Sequence, residues 1–306
     1  MTLVEAAWMP RLACPDCRAD LGVPAGDGVA CAACARIFER RGGVWRFLTP
    51  TRGVRLDPFV QQYRAVRELE ERRPSTPEYY QRLPTVAPDD PHAGDWNVRR
   101  ETYHHLLRHV LADGPLPIHA LDVGAGSGWL CHRLVALGHR AVAVDAIDDE
   151  VDGLGAARHY ATAFPIVQAD FDALPFAPSQ FDLIVFNGSL HYAADTAATL
   201  ANAHRLLKPG GALVVMDSPM FRADRDGAAM VDDTARRFVV ECGISEVVLP
   251  GAGYLTFALL GAIAERLELR QEFVPSRGPL GWRMRRHLAR VKLRRAPAAF
   301  GLWVAR

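Results

Sequence analysis

No stretch of the 306 residues is apolar and uninterrupted for long enough to span a bilayer. The sequence also lacks an excess of either charge. Its 36 Lys and Arg against 35 Asp and Glu leave a formal net charge of +1, so there is no global pull toward nucleic acid or a membrane, and any basic partner surface is local. The first residues, MTLVEAAWMPRLACPDC, lack the charged-then-apolar order of an export signal, and a cytoplasmic location is the expectation. Internal repeats and low-complexity tracts are missing too, which leaves no sign of a solenoid or array. What remains is an ordinary globular composition, 49% hydrophobic and 23% charged, with length for two or three folding units.

Cysteine is scarce and unevenly spread. Four of the six residues fall between positions 14 and 34. Cys14-Pro15-Asp16-Cys17 and Cys31-Ala32-Ala33-Cys34 form two Cys-x2-Cys knuckles thirteen residues apart. Such a pair can present four thiolates tetrahedrally to one zinc ion, and a closed four-cysteine set is structural. A segment this short cannot build a sufficient core alone, so the metal would supply its folding energy. Two redox dithiols or four free thiols are the alternatives. The residues between the knuckles suit a small hairpin, while Cys131 and Cys242 read as single buried thiols.

Four segments emerge. Residues 1–50 hold the cysteine pairs, and residues 51–117 are charged and broken by eight prolines, from Pro58 to Pro117. Helices are expected there near Phe59–Arg72 and Trp96–Ala112. From Ile118 the texture changes to strands at 118–123, 140–145, 165–168, 181–187 and 212–217, alternating with helical stretches. Strands at 267–274 and 300–306 follow. Short apolar strands alternating with helices predict an α/β fold, a parallel sheet covered on both faces and doubly wound.

The most informative stretch is Leu121-Asp122-Val123-Gly124-Ala125-Gly126-Ser127-Gly128-Trp129-Leu130, directly after the first of these strands. Alternate glycines let the backbone turn tightly and approach a ligand closely. Asp145 ends the second strand, where a carboxylate can accept from ribose hydroxyls. Asp170 follows the third, placed to accept from an adenine amino group with Phe171 packing on the ring. Either aspartate alone also fits a solvated turn residue. The loop lacks the Gly-x-Gly-x-x-Gly spacing usual for dinucleotide binding.

Taken in order, LDVGAGSGWL, AVAVD, QADFDALPF, FDLIVFNGSLHY and LLKPGGALVVMDSP resemble the successive motifs of class I S-adenosylmethionine-dependent methyltransferases, of the type 11 kind. The resemblance covers residues 118–217 and continues more weakly through the last two strands. It implies a Rossmann-like seven-stranded sheet whose last strand is antiparallel and inserted beside the fifth. It also implies a methionine-side loop of Asp122, Gly124, Ala125, Gly126 and Gly128, a ribose contact at Asp145 with Ala146, and adenine contacts at Asp170 and Phe171. Asn187 belongs to the same set. The cysteine segment resembles a zinc ribbon, with residues 37–44 like the closing hairpin of ribbon-fused methyltransferases. The implied cofactors are S-adenosylmethionine and structural zinc.

His191 and Tyr192, just past the fourth strand, sit where an acceptor approaches. An imidazole with an ordinary pKa of about 6.5 could act as a general base, or His191 could simply cap or pack the following helix. Asn187 is not followed by the Pro-Pro of many amino-group methyltransferases. Acceptor choice is expected to reside in residues 51–117, 218–253 and 275–299, with His92, Trp96 and Arg99 covering the site. Residues 277–295 carry eight basic residues and no acidic one, with Met284, Leu288 and Val291 at helical spacing. This basic helix could draw an anionic acceptor or RNA, or be a solvated face. The expectation is a methyltransferase for a small or medium-sized acceptor, an anionic one included. An RNA methyltransferase of the ribosomal-RNA guanine type and a non-catalytic zinc-ribbon scaffold are the alternatives.

Overall fold

The computed structural model describes residues 8–70, 76–112, 114, 116–243 and 246–306. The first elements are paired strands, each carrying a cysteine knuckle in its turn. β1 (Leu12–Ala13) pairs antiparallel with β2 (Asp20–Gly22), and β3 (Gly28–Ala30) with β4 (Ile37–Arg41). The hairpin expected between the knuckles is therefore replaced by two hairpins around them. Arg18 and Ala35, one residue past each knuckle, have φ of 63° and 56°. The turns close alike, with Arg18 N–H donating to Cys14 O and Ala35 N–H to Cys31 O.

β5 (Val44–Arg46) returns along β4 through Gly42 and Gly43, both at positive φ. The long helix α1 (Pro50–Leu69) follows, then α2 (Pro77–Arg82) and α3 (Ala93–Leu106), whose last turn widens over Leu107–Leu111. α1 begins earlier than the sequence suggests because Pro58 sits inside it. Proline forfeits one hydrogen bond there, and the arginine contacts described below hold the helix in place.

The alternating region supplies β6 (His119–Val123), α4 (Trp129–Ala136), β7 (Arg140–Asp145), β8 (Ile166–Gln168), β9 (Phe181–Asn187), α5 (Thr196–His204) and β10 (Leu207–Met216). After these come β11 (Met220–Phe221), α6 (Asp224–Cys242), β12 (Leu255–Thr256), α7 (Phe257–Arg266), β13 (Gln271–Pro275), α8 (Leu280–Leu293) and β14 (Gly301–Ala305).

One sheet runs β13-β14-β10-β9-β6-β7-β8-β5-β4-β3. Strands β10, β9, β6, β7 and β8 are mutually parallel, while β14 is antiparallel to both β10 and β13. This is the expected doubly wound seven-stranded arrangement, with the last strand inserted beside the fifth. Three strands of the cysteine segment extend it, because β5 pairs in parallel with β8, Val44 opposite Ile166 and Arg46 opposite Gln168.

Alternation along the central strands divides the core in two. Leu121, Val123, Ile184, Phe186, Leu213, Val215 and Trp303 pack on the side of α5 and α7. Ala120, Ala143, Leu183, Val185, Val214 and Leu302 face α3 and α4. With both faces covered, these strands read as continuous apolar runs. Among the described residues, no helix is long and apolar enough to cross a membrane.

Candidate functional site

Strand order reverses at β6, which lies between β7 and β9, and the crevice outside the carboxyl ends of the strands opens there. The loop after β6 forms its floor. Gly124, Gly126 and Gly128 have φ of 72°, 52° and 77°, a region costly to residues with a Cβ. A Cβ on Gly124 would stand 2.2 Å from Ser189 Cβ. Gly124 and Ala125 both donate their N–H to Val144 O, at 2.8 and 2.9 Å. Asp145 Oδ2 accepts from Gly126 N–H at 2.8 Å, and its Oδ1 from Ile147 N–H at 2.9 Å. Each oxygen keeps a lone pair. Burial pushes the Asp145 carboxyl up to about 6 against those stabilising N–H groups.

A cavity of about 350 Å³ opens over this loop. Of the residues expected around a cofactor, it is lined by Gly124, Ala125, Gly126, Asp145, Ala146, Asp170, Phe171 and Asn187. Asp122 and Gly128 stand behind the wall instead. Asp122 is buried, with one oxygen 3.9 Å from Cys131 Sγ and Oδ1 without a partner among the described residues. Burial and the neighbouring Asp145 raise its carboxyl to about 8. Gly128 caps α4 at its N-terminus and packs beneath the Phe164 ring.

α1 covers the opening, and four of its arginines meet carboxylates at the strand ends. Arg52 and Arg55 both donate to Asp170 Oδ2, whose partner Oδ1 accepts from Asp172 N–H. Arg64 reaches Asp149 at 3.4 Å, and Arg67 grips Asp152 through two bonds of 2.9 and 2.7 Å. Asp170 therefore faces the cavity already engaged by two guanidinium groups. Phe59, Tyr63 and Arg67 of α1 line the cavity, as do the expected His92, which precedes α3, and Trp96 and Arg99 of α3. The α1 residues were missed by the sequence reading. Arginines at 52, 55, 64 and 67 on one helical face were the available signal.

A second cavity of about 440 Å³ adjoins the first and shares Phe59, Tyr63, Arg67, Arg99, Gly188 and Tyr192 with it. Its far wall comes from the expected outer segments: Pro219, Phe238 and Leu249 from the stretch after β10, and Trp282 from α8. His191 lies here, not in the first cavity. Its Nδ1 is 3.2 Å from Ser218 Oγ and its ring 4.1 Å from that of Tyr192. Burial, with a smaller push from Arg99, lowers the imidazole to about 3, so it is neutral through the physiological range. Burial holds the Tyr192 phenol well above its ordinary value.

At the four knuckle cysteines, the sulfur atoms lie within 4.8 Å of one another. Cys14 and Cys34 sulfurs are 3.6 Å apart, and Cys17 and Cys31 3.4 Å. Thiolates about 2.3 Å from a tetrahedral zinc would have similar separations, so the donor set fits that ion. Cys131 is buried, while the Cys242 side chain lies outside the described residues. On α8, Arg283, Met284, Leu288, Arg290, Lys292 and Arg294 are exposed, and the side chains of Arg285, Arg286 and Val291 are outside the described set.

Residues 121–215 match the methyltransferase domain family. A malonyl-[acyl-carrier protein] O-methyltransferase from Erwinia pyrifoliae is 31% identical over 114 residues, 37% of this chain and 42% of that protein. A dimethylglycine N-methyltransferase from Parasynechococcus marenigrum is 34% identical over 122 residues, 38% of this chain and 42% of its own length. The chain thus spans about two-fifths of the length of these relatives. Among solved structures, an S-adenosylmethionine-dependent methyltransferase from Mesorhizobium loti is similar at 18% identity and a TM-score of 0.48, covering 67% of this chain and 97% of that one.

Proposed function

We propose that this chain, in which residues 121–215 form a methyltransferase domain, transfers a methyl group from S-adenosylmethionine to a small or medium-sized acceptor. The observation that carries the reading is the glycine loop. Three alternate glycines at positive φ shape it, and two of them, Gly124 and Gly126, the latter pinned by Asp145 through its N–H, floor a cavity at the reversal of the sheet. A cradle this close-packed excludes a Cβ at Gly124 and leaves backbone within reach of a ligand.

In this reading Gly124 to Gly126 border the methionine end, and the free lone pairs of Asp145 take the ribose hydroxyls. Phe171 lies against the adenine, with Asp170 shared between the adenine amino group and its two arginines. When bound, the cofactor supplies an electrophilic methyl on a sulfonium sulfur. The remaining work belongs to the chain. α1 excludes water from above, and Phe59 and Tyr192 stand where the two cavities meet. Alignment of the reacting atoms can supply about 7–11 kcal/mol. The cysteine segment would hold zinc as a closed structural site, with no part in the transfer.

Calorimetry with S-adenosylhomocysteine tests the reading. Asp145→Ala is expected to weaken binding by tenfold or more, since a hydrogen bond to a charged group contributes about 1.5–3 kcal/mol. No measurable binding by the native chain would sink the proposal. The exposed basic face of α8 is the basis for testing RNA as the acceptor. Labelled-methyl transfer to total RNA that falls on replacing Arg283, Arg290 and Arg294 would move the acceptor to RNA.

A further inference from the structure

The second cavity contains two groups that the transfer as described so far leaves unused. Asp217 follows β10, at the carboxyl end of the strand, with a φ of 56°, a left-handed conformation costly to a non-glycine residue. Its peptide oxygen lies 3.7 Å from the Cβ position of Gly188, the residue bordering both cavities. The side chain is buried. Oδ1 accepts from Thr102 Oγ1 at 2.8 Å, and Thr102 Oγ1 is in turn 2.8 Å from Ser276 Oγ, while Oδ2 has no hydrogen-bond partner among the described residues. Leaving a buried carboxylate oxygen unpaired is expensive, and strain and unpaired polar atoms concentrate at functional positions. The second group is Arg99. Its guanidinium lies 4.9 Å from the Trp96 ring centroid and forms no ion pair among the described residues. Arg67 nearby is already neutralised by Asp152. Much of the remaining wall is aromatic: Phe59, Tyr63, Tyr192, Phe238, Trp282 and Phe300.

We infer that this cavity receives a flat aromatic acceptor carrying a hydroxyl and an anionic group, with Asp217 taking the hydroxyl proton and Arg99 holding the anion. The inference rests on the methyltransferase reading. In the transfer, the acceptor O–H bond breaks and its proton passes to the Asp217 carboxylate. The acceptor oxygen forms the new bond to the methyl carbon, and the methyl–sulfur bond breaks with its electron pair remaining on sulfur. Asp217 suits this role better than His191. Burial raises its carboxyl to about 6, against the opposing pull of Arg99 and Thr102, whereas the imidazole is too weak a base near neutral pH. The other titratable or charged groups lining the cavity among the described residues are Tyr63 and Arg67 of α1, Glu70 just past its end, Asp95 of α3, and Tyr192.

The test is calorimetry on the full chain with S-adenosylhomocysteine bound, using 6-hydroxy-2-naphthoate as probe. Naphthoate lacking the hydroxyl and naphthol lacking the carboxylate serve as comparisons. The native chain should prefer the full probe to each comparison by tenfold or more. That preference for the hydroxyl should grow from pH 5.5 to 7.5, where the probe itself does not titrate, as Asp217 ionises. Asp217→Asn keeps a residue tolerant of left-handed backbone and should lose the hydroxyl preference and its pH dependence. Arg99→Met should lose the carboxylate preference alone. Asp217 does not line the first cavity, so Asp217→Asn should bind S-adenosylhomocysteine as the native chain does. If the native chain binds S-adenosylhomocysteine but not the probe, or Asp217→Asn retains the hydroxyl preference, the inference is overturned while the methyltransferase reading stands. If S-adenosylhomocysteine does not bind, the methyltransferase reading fails first.

Discussion

Replacing Gly124 by alanine separates two penalties that the fold imposes at the same residue. The first is conformational. At a φ of 72° an alanine costs roughly 1–2 kcal/mol relative to glycine. The second is steric. The new Cβ would stand 2.2 Å from Ser189 Cβ and 2.7 Å from Ser189 Oγ. A Cβ cannot rotate away from its own backbone, and Ser189 is buried, with Oγ bonded to Val123 O. The backbone must therefore shift, which adds about 1–3 kcal/mol of overpacking, for a total of about 2–5 kcal/mol. Gly210 is the control. It has a φ of 78° with nothing within 4 Å of its Cβ position, so its alanine variant should cost only about 1–2 kcal/mol. The unfolded-chain entropy change is common to both and cancels. Urea unfolding followed by tryptophan fluorescence reads the difference as a midpoint shift at constant slope. Adding Ser189→Gly should recover about 1–3 kcal/mol in the Gly124→Ala chain, beyond its effect alone. Equal losses at 124 and 210, or no coupling to Ser189, would refute the reasoning.

Three further outcomes are expected. Asp122 is pushed from an ordinary 3.8 to about 8, so its neutral form stabilises the fold at low pH, and that contribution is lost as pH rises through about 8. Asp122→Asn should therefore flatten the fall in urea midpoint between pH 5 and pH 8.5, and an unchanged slope would remove Asp122 as its source. Cys31→Ser should take the zinc content, measured by mass spectrometry of native protein purified without chelator, from about one ion per chain toward none. A zinc-free native chain would overturn the ribbon. Arg67→Met leaves the mostly buried Asp152 unpaired, at a cost of about 1–3 kcal/mol. α1 should then be cleaved sooner in limited proteolysis, and an unchanged cleavage rate would mean the pair does not hold the helix.

The parts of this molecule legible in its sequence are those dictated by short-range rules. β6, β7 and β9 match their expected spans almost residue for residue, because strands covered on both faces must be continuously apolar. The glycine loop and Asp145 were likewise visible, since tight turns after a strand need residues without a Cβ. Other features depended on distant partners. Pro58 read as a helix boundary, yet ion pairs to residues 85 positions away hold α1 through it. The two knuckle hairpins do not pair with each other: β3 and β4 join the large sheet through β5, which is drawn to the edge of β8, while β1 and β2 form a sheet of their own. Asp217 gave no signal. Its backbone conformation and its bond to Thr102, 115 positions away, exist only in the folded chain.

The parallel pairing of β5 with β8 also bears on solubility. Without it, β8 would present a bare row of N–H and C=O groups, a template for another chain to add a strand. The pairing moves the exposed edge outward to β3, three residues long and flanked by Asp27, Glu39 and Arg40. Short, charged edges resist intermolecular addition. The second cysteine knuckle closes the hairpin that carries this edge, so Cys31→Ser should show first as turbidity on storage.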